Sequence, residues 1–168
     1  NKMNNEMAKV AIVTGAAKNI GRATCESLSK LGYNILVHAN TDKDGADETV
    51  KLVKENGVQS ERIIGDLTKT DASQELVKEA SKIGNISALV NNASQREFNK
   101  FDDMTFDDWR FVISINLDSL FHTCKAVLPE MKKNKWGRIV NLGGLSAHIS
   151  AIGRAHVITS KSAVVGFT

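Results

Sequence analysis

Short apolar runs alternate with amphipathic stretches along most of this chain. Lys9–Thr14 (KVAIVT), Asn34–Ala39 (NILVHA), Arg62–Gly65, Ala88–Asn91 and Arg138–Leu142 are β-branched-rich or bounded by turn formers, and too short for helices. Their composition and length predict five strands. Between them, Asn19–Leu31, Asp44–Glu55 and Asp71–Ile83 carry helical spacing and stop at Gly32, Asn56-Gly57 and Gly84, residues that suit a helix C-terminus. On the first of these, Ile20, Ala23, Leu28 and Leu31 are expected to share the inward face. Phe106 to about Lys133 predicts a long helix with a break near Pro129, and His156–Thr168 a last one. Its segment Trp109, Val112, Ile113 and Phe121 suits either packing on the sheet or a contact between subunits.

Strands separated by helices of this length call for right-handed crossovers, hence a parallel sheet covered on both faces. The expected fold is α/β, a doubly wound parallel sheet in one domain over residues 8–168. Residues 1–7 are polar and read as a tail or tag remnant. Such a domain ordinarily carries further strands after a helix like the last one, so it is expected to continue past Thr168.

Composition adds little beyond class. The 168 residues are 42% hydrophobic and 24% charged, with 12 Gly and one Pro, ordinary for a globular α/β protein. A net charge of +3 with scattered basic residues gives no electrostatic case for nucleic acid. The densest basic run, Lys132–Lys135, is expected to be a solvated helix end. Cys25 and Cys124 lie far apart in helical segments, which suits buried thiols in a reducing compartment. No uninterrupted apolar run approaches the ~20 residues of a membrane span. The expected setting is cytoplasmic, with no membrane or nucleic-acid partner.

The first strand runs into the first helix through Thr14-Gly15-Ala16-Ala17-Lys18-Asn19-Ile20-Gly21. A pyrophosphate needs free backbone N–H groups at a helix N-terminus and small residues that let it approach. Gly15 suits the tight turn and Gly21 the close packing of helix on strand. A plain βα turn is the competing reading.

This segment resembles the TGxxxGxG signature of the short-chain dehydrogenases/reductases, with Asn19 at the middle glycine. Asp66-Leu67 after the third strand, Asn91-Asn92-Ala93-Ser94 beside the family's NNAG, Asn116 in Ser114-Ile115-Asn116-Leu117, Gly137–Asn141 and Lys161 follow in family order. The likeness covers about residues 8–168 and is nearest to 3-oxoacyl-carrier-protein reductases. It implies a Rossmann-like fold and a nicotinamide cofactor held by Gly15, Ala17, Lys18, Asn19, Ile20, Gly21, Asn40, Asp66, Leu67, Asn92, Ala93 and Lys161. It also implies a carbonyl or alcohol substrate and a homodimer or homotetramer. Read singly, Asp66 suits a strand-end cap as well as an adenine contact, and Asn91 suits a tie between strands.

An acid at the end of the second strand would favour NAD by gripping the ribose 2′-hydroxyl. The sequence there is Val37-His38-Ala39-Asn40-Thr41, with no acid before Asp42, and Lys18 stands where NADP-preferring relatives often carry a base. NADP(H) is therefore expected over NAD(H), with Asp42 and Asp44 arguing the other way and Lys43 a further, weaker source of positive potential.

The catalytic pattern is incomplete. The family's Ser falls on Gly144, and its Tyr, four residues before the Lys, on Val157; the single tyrosine is Tyr33. Asn116, Lys161 and the neighbouring His156 are the catalytic candidates, since an imidazole titrating near pH ~6.5 makes a serviceable acid. Ser146 and His148 are weaker substitutes from the following loop. Two functions compete: an oxidoreductase with an atypical site, and a non-catalytic nicotinamide-nucleotide sensor or partner subunit.

Overall fold

The computed structural model describes residues 8–168, apart from the side chain of Ser146; the stretch 1–7 lies outside the described residues. Five strands form one parallel sheet: β1 (Lys9–Val13), β2 (Asn34–Ala39), β3 (Ser60–Ile64), β4 (Asn85–Asn91) and β5 (Arg138–Asn141). Their order is β3-β2-β1-β4-β5. The helices are α1 (Asn19–Lys30), α2 (Lys43–Lys54), α3 (Thr70–Lys82), α4 (Phe106–Ile113), α5 (Ser119–Lys133) and α6 (Ala155–Phe167).

Alternation along β1 builds two cores. Ala11 and Val13 face Cys25 of α1 and Ala46 and Val53 of α2. Val10 and Ile12 face the other way, onto Leu76 and Ala80 of α3 and Cys124, Val127 and Met131 of α5. Such complete double-sided burial is why these strands read as continuous apolar runs. Each fully buried aliphatic side chain contributes about 1.5–3 kcal/mol.

Two helical expectations change. On α1 the buried residues are Gly21, Cys25 and Ser29, whereas Ile20 and Leu31 are exposed. Small residues were needed on that face because the helix lies tight against the sheet, and an apolar count overlooks them. The long helix runs through Pro129, with only its N-terminal part interrupted: Ser114–Asp118 forms a π-helical turn. Pro129 sits exposed on the solvent side, and the extra residue of the π turn lies instead at Asn116. A π turn of this kind often marks a functional position.

Trp109, Val112, Ile113 and Phe121 do not form one face: Val112 and Ile113 are buried while Phe121 is exposed. By length and composition Phe106–Lys133 would pass as a membrane span, yet it packs against the sheet as core helices of water-soluble folds do. Lys132 and Lys133 are exposed at the end of α5, as expected of a solvated terminus. Both cysteines are buried and free, and burial pushes the Cys25 thiol up to about 12.

Candidate functional site

Strand order reverses between β1 and β4, and a cleft opens outside the carboxyl ends of the strands at such a switch point. It measures about 650 Å³ and runs from the β2–β3 side to α6. Gly15, Ala17, Lys18, Asn19, Ile20, Asn40, Asp66, Leu67, Asn92, Ala93 and Lys161 all line it.

The cradle is built by close packing. Gly15 has φ +61°, and a Cβ there would lie 2.8 Å from Ala93 Cα. A Cβ on Gly21 would strike the Gly15 carbonyl oxygen and lie 2.7 Å from Ala16 Cα. Gly21 is thus a packing residue beneath the cleft rather than part of its wall. Asn19 has φ 50°, the left-handed conformation asparagine tolerates better than most residues. That explains how it stands at a glycine position.

Above this loop, α1 begins without a side-chain cap and with no acid in its first turn. By contrast Asp42 caps α2, and Thr105 with Asp108 forms a capping box on α4. The first N–H groups of α1 therefore have no side-chain partner, and Lys18, Asn19 and Ile20 put that end of the helix, with the positive end of its dipole, on the cleft wall. A phosphate fits that arrangement.

Neighbouring strands brace the loop. Thr14 Oγ1 accepts hydrogen bonds from the N–H groups of Asn92 and Ala93, both at 3.0 Å. Asn92 Nδ2 donates to the carbonyls of Thr14 (3.0 Å) and Gly15 (2.8 Å). Asn92 thus holds the cradle from below as well as lining the cleft.

His38 is the part that sequence reasoning missed. It is buried at the end of β2, its Nε2 lying 2.8 Å from the Gly65 carbonyl and its Nδ1 3.3 Å from the Gly15 N–H. The carbonyl requires a proton on Nε2, which leaves Nδ1 to accept from Gly15; the ring is neutral and joins β3 to the cradle. Burial lowers its pKa, against the opposing pulls of the Gly65 bond and the Asp66 charge. Its signal in the sequence was a lone imidazole inside an apolar strand.

Asp66 closes a turn by accepting from the Thr68 N–H (3.0 Å) and hydroxyl (2.8 Å) with Oδ1 while lining the cleft. Partial desolvation opposes its ionisation, but the two Thr68 bonds and the charge of Lys69 hold it below the usual carboxylate range. Cap and cleft residue are thus compatible readings. Asp42 accepts from the Gly45 N–H at 3.0 Å as the α2 cap. Lys43 is exposed and off the cleft wall, whereas Lys18 is on it.

At the far end, Lys161 Nζ donates to the Leu142 carbonyl at 2.7 Å. Burial first, and the charge of Arg96 second, hold its ammonium below the ordinary lysine range. Gly144 and Val157 line the cleft beside it. Gly144 has φ 83° and ψ 172°, a conformation essentially confined to glycine.

Asn116 lies behind the wall, buried, bonded to the Gln95 backbone and to Ser160 Oγ (2.9 Å). His156 is wholly buried and absent from the cleft lining; both ring nitrogens lack a hydrogen-bond partner. One residue of helix rotates a side chain by about 100°, which turns His156 toward α4 instead of the Val157 position. Burial lowers its pKa, with Arg154 adding and Asp108 and Glu97 opposing. His148 is exposed away from the cleft, Tyr33 packs on the core, and the Ser146 side chain lies outside the described residues. Asn91 ties β4 to β5 and α5, donating to Asn141 Oδ1 at 2.9 Å and accepting from Thr123 Oγ1 at 2.8 Å.

The sequence profile described as short chain dehydrogenase matches residues 9–168. A 3-oxoacyl-[acyl-carrier-protein] reductase of Staphylococcus epidermidis is 35% identical over 163 residues, covering 96% of this chain and 67% of that protein. A D-beta-hydroxybutyrate dehydrogenase of Rhizobium meliloti is 30% identical over 168 residues, covering 96% and 64%. Among solved structures, acetoin dehydrogenase from Enterobacter cloacae superposes with a TM-score of 0.92 at 32% identity, over 98% of this chain and 66% of that one. The chain thus spans about two thirds of the length of these relatives.

Proposed function

The chain belongs to the short-chain dehydrogenase family, and on that premise we propose that the protein is an NADP(H)-dependent oxidoreductase. It interconverts a carbonyl compound and an alcohol, with Lys161 as the group that holds the transferred proton. The observation that carries this reading is the uncapped start of α1 over a loop where Gly15 and Gly21 leave no room for a Cβ, with Lys161 in the same cleft.

The nicotinamide, when bound, supplies or accepts the hydride. The amides of residues 19 and 20 would hold its pyrophosphate and Lys18 the 2′-phosphate; Asp66, Leu67 and Asn40 would border the adenosine, and Lys161 the far ribose. Both Lys18 and Asp42 line the cleft; NADP(H) is favoured because one Asp42 oxygen is engaged as the α2 cap while the Lys18 ammonium is in no ion pair among the described residues.

Reduction adds a hydride to the carbonyl carbon and a proton to its oxygen. Of the three protons on the Lys161 ammonium, one is held by the Leu142 carbonyl. The others have no partner among the described residues. A depressed pKa makes this ammonium a better acid than an ordinary lysine and its free amine accessible at lower pH for the reverse direction. Gly144 and Val157 supply no hydroxyl, and Ser94 and Ser119 donate theirs to backbone carbonyls, so acid catalysis is assigned to Lys161 or a water it holds. Cytoplasmic location and assembly as a homodimer or homotetramer are part of the same proposal.

The test is oxidation of NADPH and NADH by a panel of carbonyl compounds, alongside Lys161→Ala. Turnover abolished by that substitution, with folding intact, supports the assignment. Nucleotide binding without turnover across the panel would instead favour the sensor or partner-subunit reading, which the glycine and valine at 144 and 157 motivate.

A further inference from the structure

The two ends of the cleft differ in charge. Its adenosine side carries Asp42 and Asp66. The other wall, formed by Ser94–Arg96, Ile115, Ser119, Leu142–Leu145, Val157 and Lys161, has two cations and, among the described residues, no carboxylate. Arg96 enters no ion pair there; the nearby acids Glu97 and Asp108 lie toward His156 instead.

The backbone at Arg96 is also held in place, while its side chain is exposed. Asn116 bonds both backbone groups of Gln95, at 2.7 and 3.0 Å. Arg154 Nη1 donates to the Arg96 carbonyl at 2.7 Å, and the Asn99 N–H donates to the Gly153 carbonyl at 2.9 Å. A Cβ on Gly153 would meet the Phe98 ring at 2.5 Å, so the two segments are in tight contact. A surface arginine kept only for solubility needs no such mooring. Fixing the backbone before a ligand arrives reduces the ordering cost of binding.

At the two positions where the family resemblance places hydroxyls, this wall has Gly144 and Val157, and its own hydroxyls, on Ser94 and Ser119, donate to the Gln95 and Ile115 carbonyls. A second group on the substrate would then set its orientation. Resting on the oxidoreductase reading, we infer that the substrate is an oxo acid or hydroxy acid, its carboxylate received by the Arg96 guanidinium and its reacting oxygen turned toward Lys161. A guanidinium presents paired N–H donors that match a carboxylate, which a neutral ketone lacks.

The test is calorimetry on the protein loaded with NADP+, in which no carbonyl is reduced. Acetoacetate and pyruvate are titrated against their methyl esters. At least one acid should bind tighter than its ester by roughly tenfold or more, the scale of a charge-assisted hydrogen bond. Arg96→Gln should bring acid and ester level, Arg96→Lys should restore part of the difference, and both should keep the wild-type affinity for NADP+. Equal binding of acid and ester, no binding of either acid at millimolar concentration, or a preference that survives Arg96→Gln overturns the inference. Loss of NADP+ affinity in Arg96→Gln assigns the arginine to the nucleotide and overturns it too. A protein that takes no nucleotide fails at the loading step, an outcome distinct from the others, and removes both proposals.

Discussion

Asn116 grips the backbone of Gln95 from both sides, accepting from its N–H at 2.7 Å and donating to its carbonyl at 3.0 Å. Its Nδ2 also reaches Ser160 Oγ, one residue before Lys161. One buried amide on the π turn therefore fixes the loop after β4 and the helix that carries the proposed acid. Asn116 is a positioning residue: it acts through Gln95, Arg96 and Lys161.

Asn116→Asp keeps the acceptor for the Gln95 N–H and removes the donor for its carbonyl. Leaving a buried acceptor unpaired costs about 1–3 kcal/mol, and burying the new carboxyl group against that carbonyl adds to it. The expected result is that loss in urea unfolding, with kcat/KM for the carbonyl substrate falling while NADPH affinity holds within about twofold. Equal losses in both would show a role in folding only.

Gly21→Ala should abolish nucleotide binding, because a Cβ there overlaps the Gly15 carbonyl and Ala16. Gly166→Ala is the control: a Cβ there meets nothing within 4 Å, and alanine in a helix is favoured over glycine by about 1 kcal/mol. It should bind as the wild type does and melt at the same or a higher temperature.

Acidification should weaken the fold before any carboxylate titrates. His38 and His156 are buried with pKa values below their ordinary 6.5. Above that pH both the folded and unfolded chains carry them neutral, and there is no penalty. As pH falls through about 6.5 the unfolded chain takes protons that the folded chain refuses, so stability drops, by at most about 1.4 kcal/mol per pH unit per histidine and only until the folded-state pKa is reached. Urea midpoints from pH 7.5 to 5 should fall, less steeply in His38→Gln and in His156→Leu. A flat profile would contradict the neutral, buried state. Because both His156 nitrogens lack partners, His156→Leu should also gain about 1 kcal/mol at pH 7.5.

Restoring the absent hydroxyls should succeed at one position and fail at the other. Val157→Tyr places a phenol in the cleft beside Lys161, and NADPH oxidation at neutral pH should rise. Gly144→Ser puts a side chain on a backbone that only glycine readily adopts, at a cost of about 1–3 kcal/mol in unfolding measurements. Unchanged stability there would mean the loop adjusts freely.

Lys18→Glu should lower NADPH affinity by at least tenfold and change NADH affinity little, as read by fluorescence titration. Equal losses would mean that Lys18 contacts only what the two nucleotides share.

The strands, their parallel direction and the glycine-bearing turn from β1 into α1 were legible because each rests on local chemistry: β-branched runs, helix stops, glycines where the chain must turn. The inward face of α1 was not, since Gly21 and Ser29 are buried for their small size and carry no apolar signal. His38 escaped for a related reason, because its partners Gly15 and Gly65 are 23 and 27 residues away and only the fold unites them. The candidate His156 failed on helical phase: adjacent in sequence to the cleft-lining Val157, it points into the packing between α4 and α6. Arg96 gave no motif to find; its place follows from Asn116 holding the Gln95 backbone and Arg154 holding the Arg96 carbonyl.

Calorimetric titration of NADPH into the folded protein bears most directly on the whole account. One site per chain is expected, tighter than for NADH, with binding lost in Gly21→Ala. Absence of heat with either nucleotide, or full binding by Gly21→Ala, would contradict the assignment of the α1 N-terminus as a phosphate site.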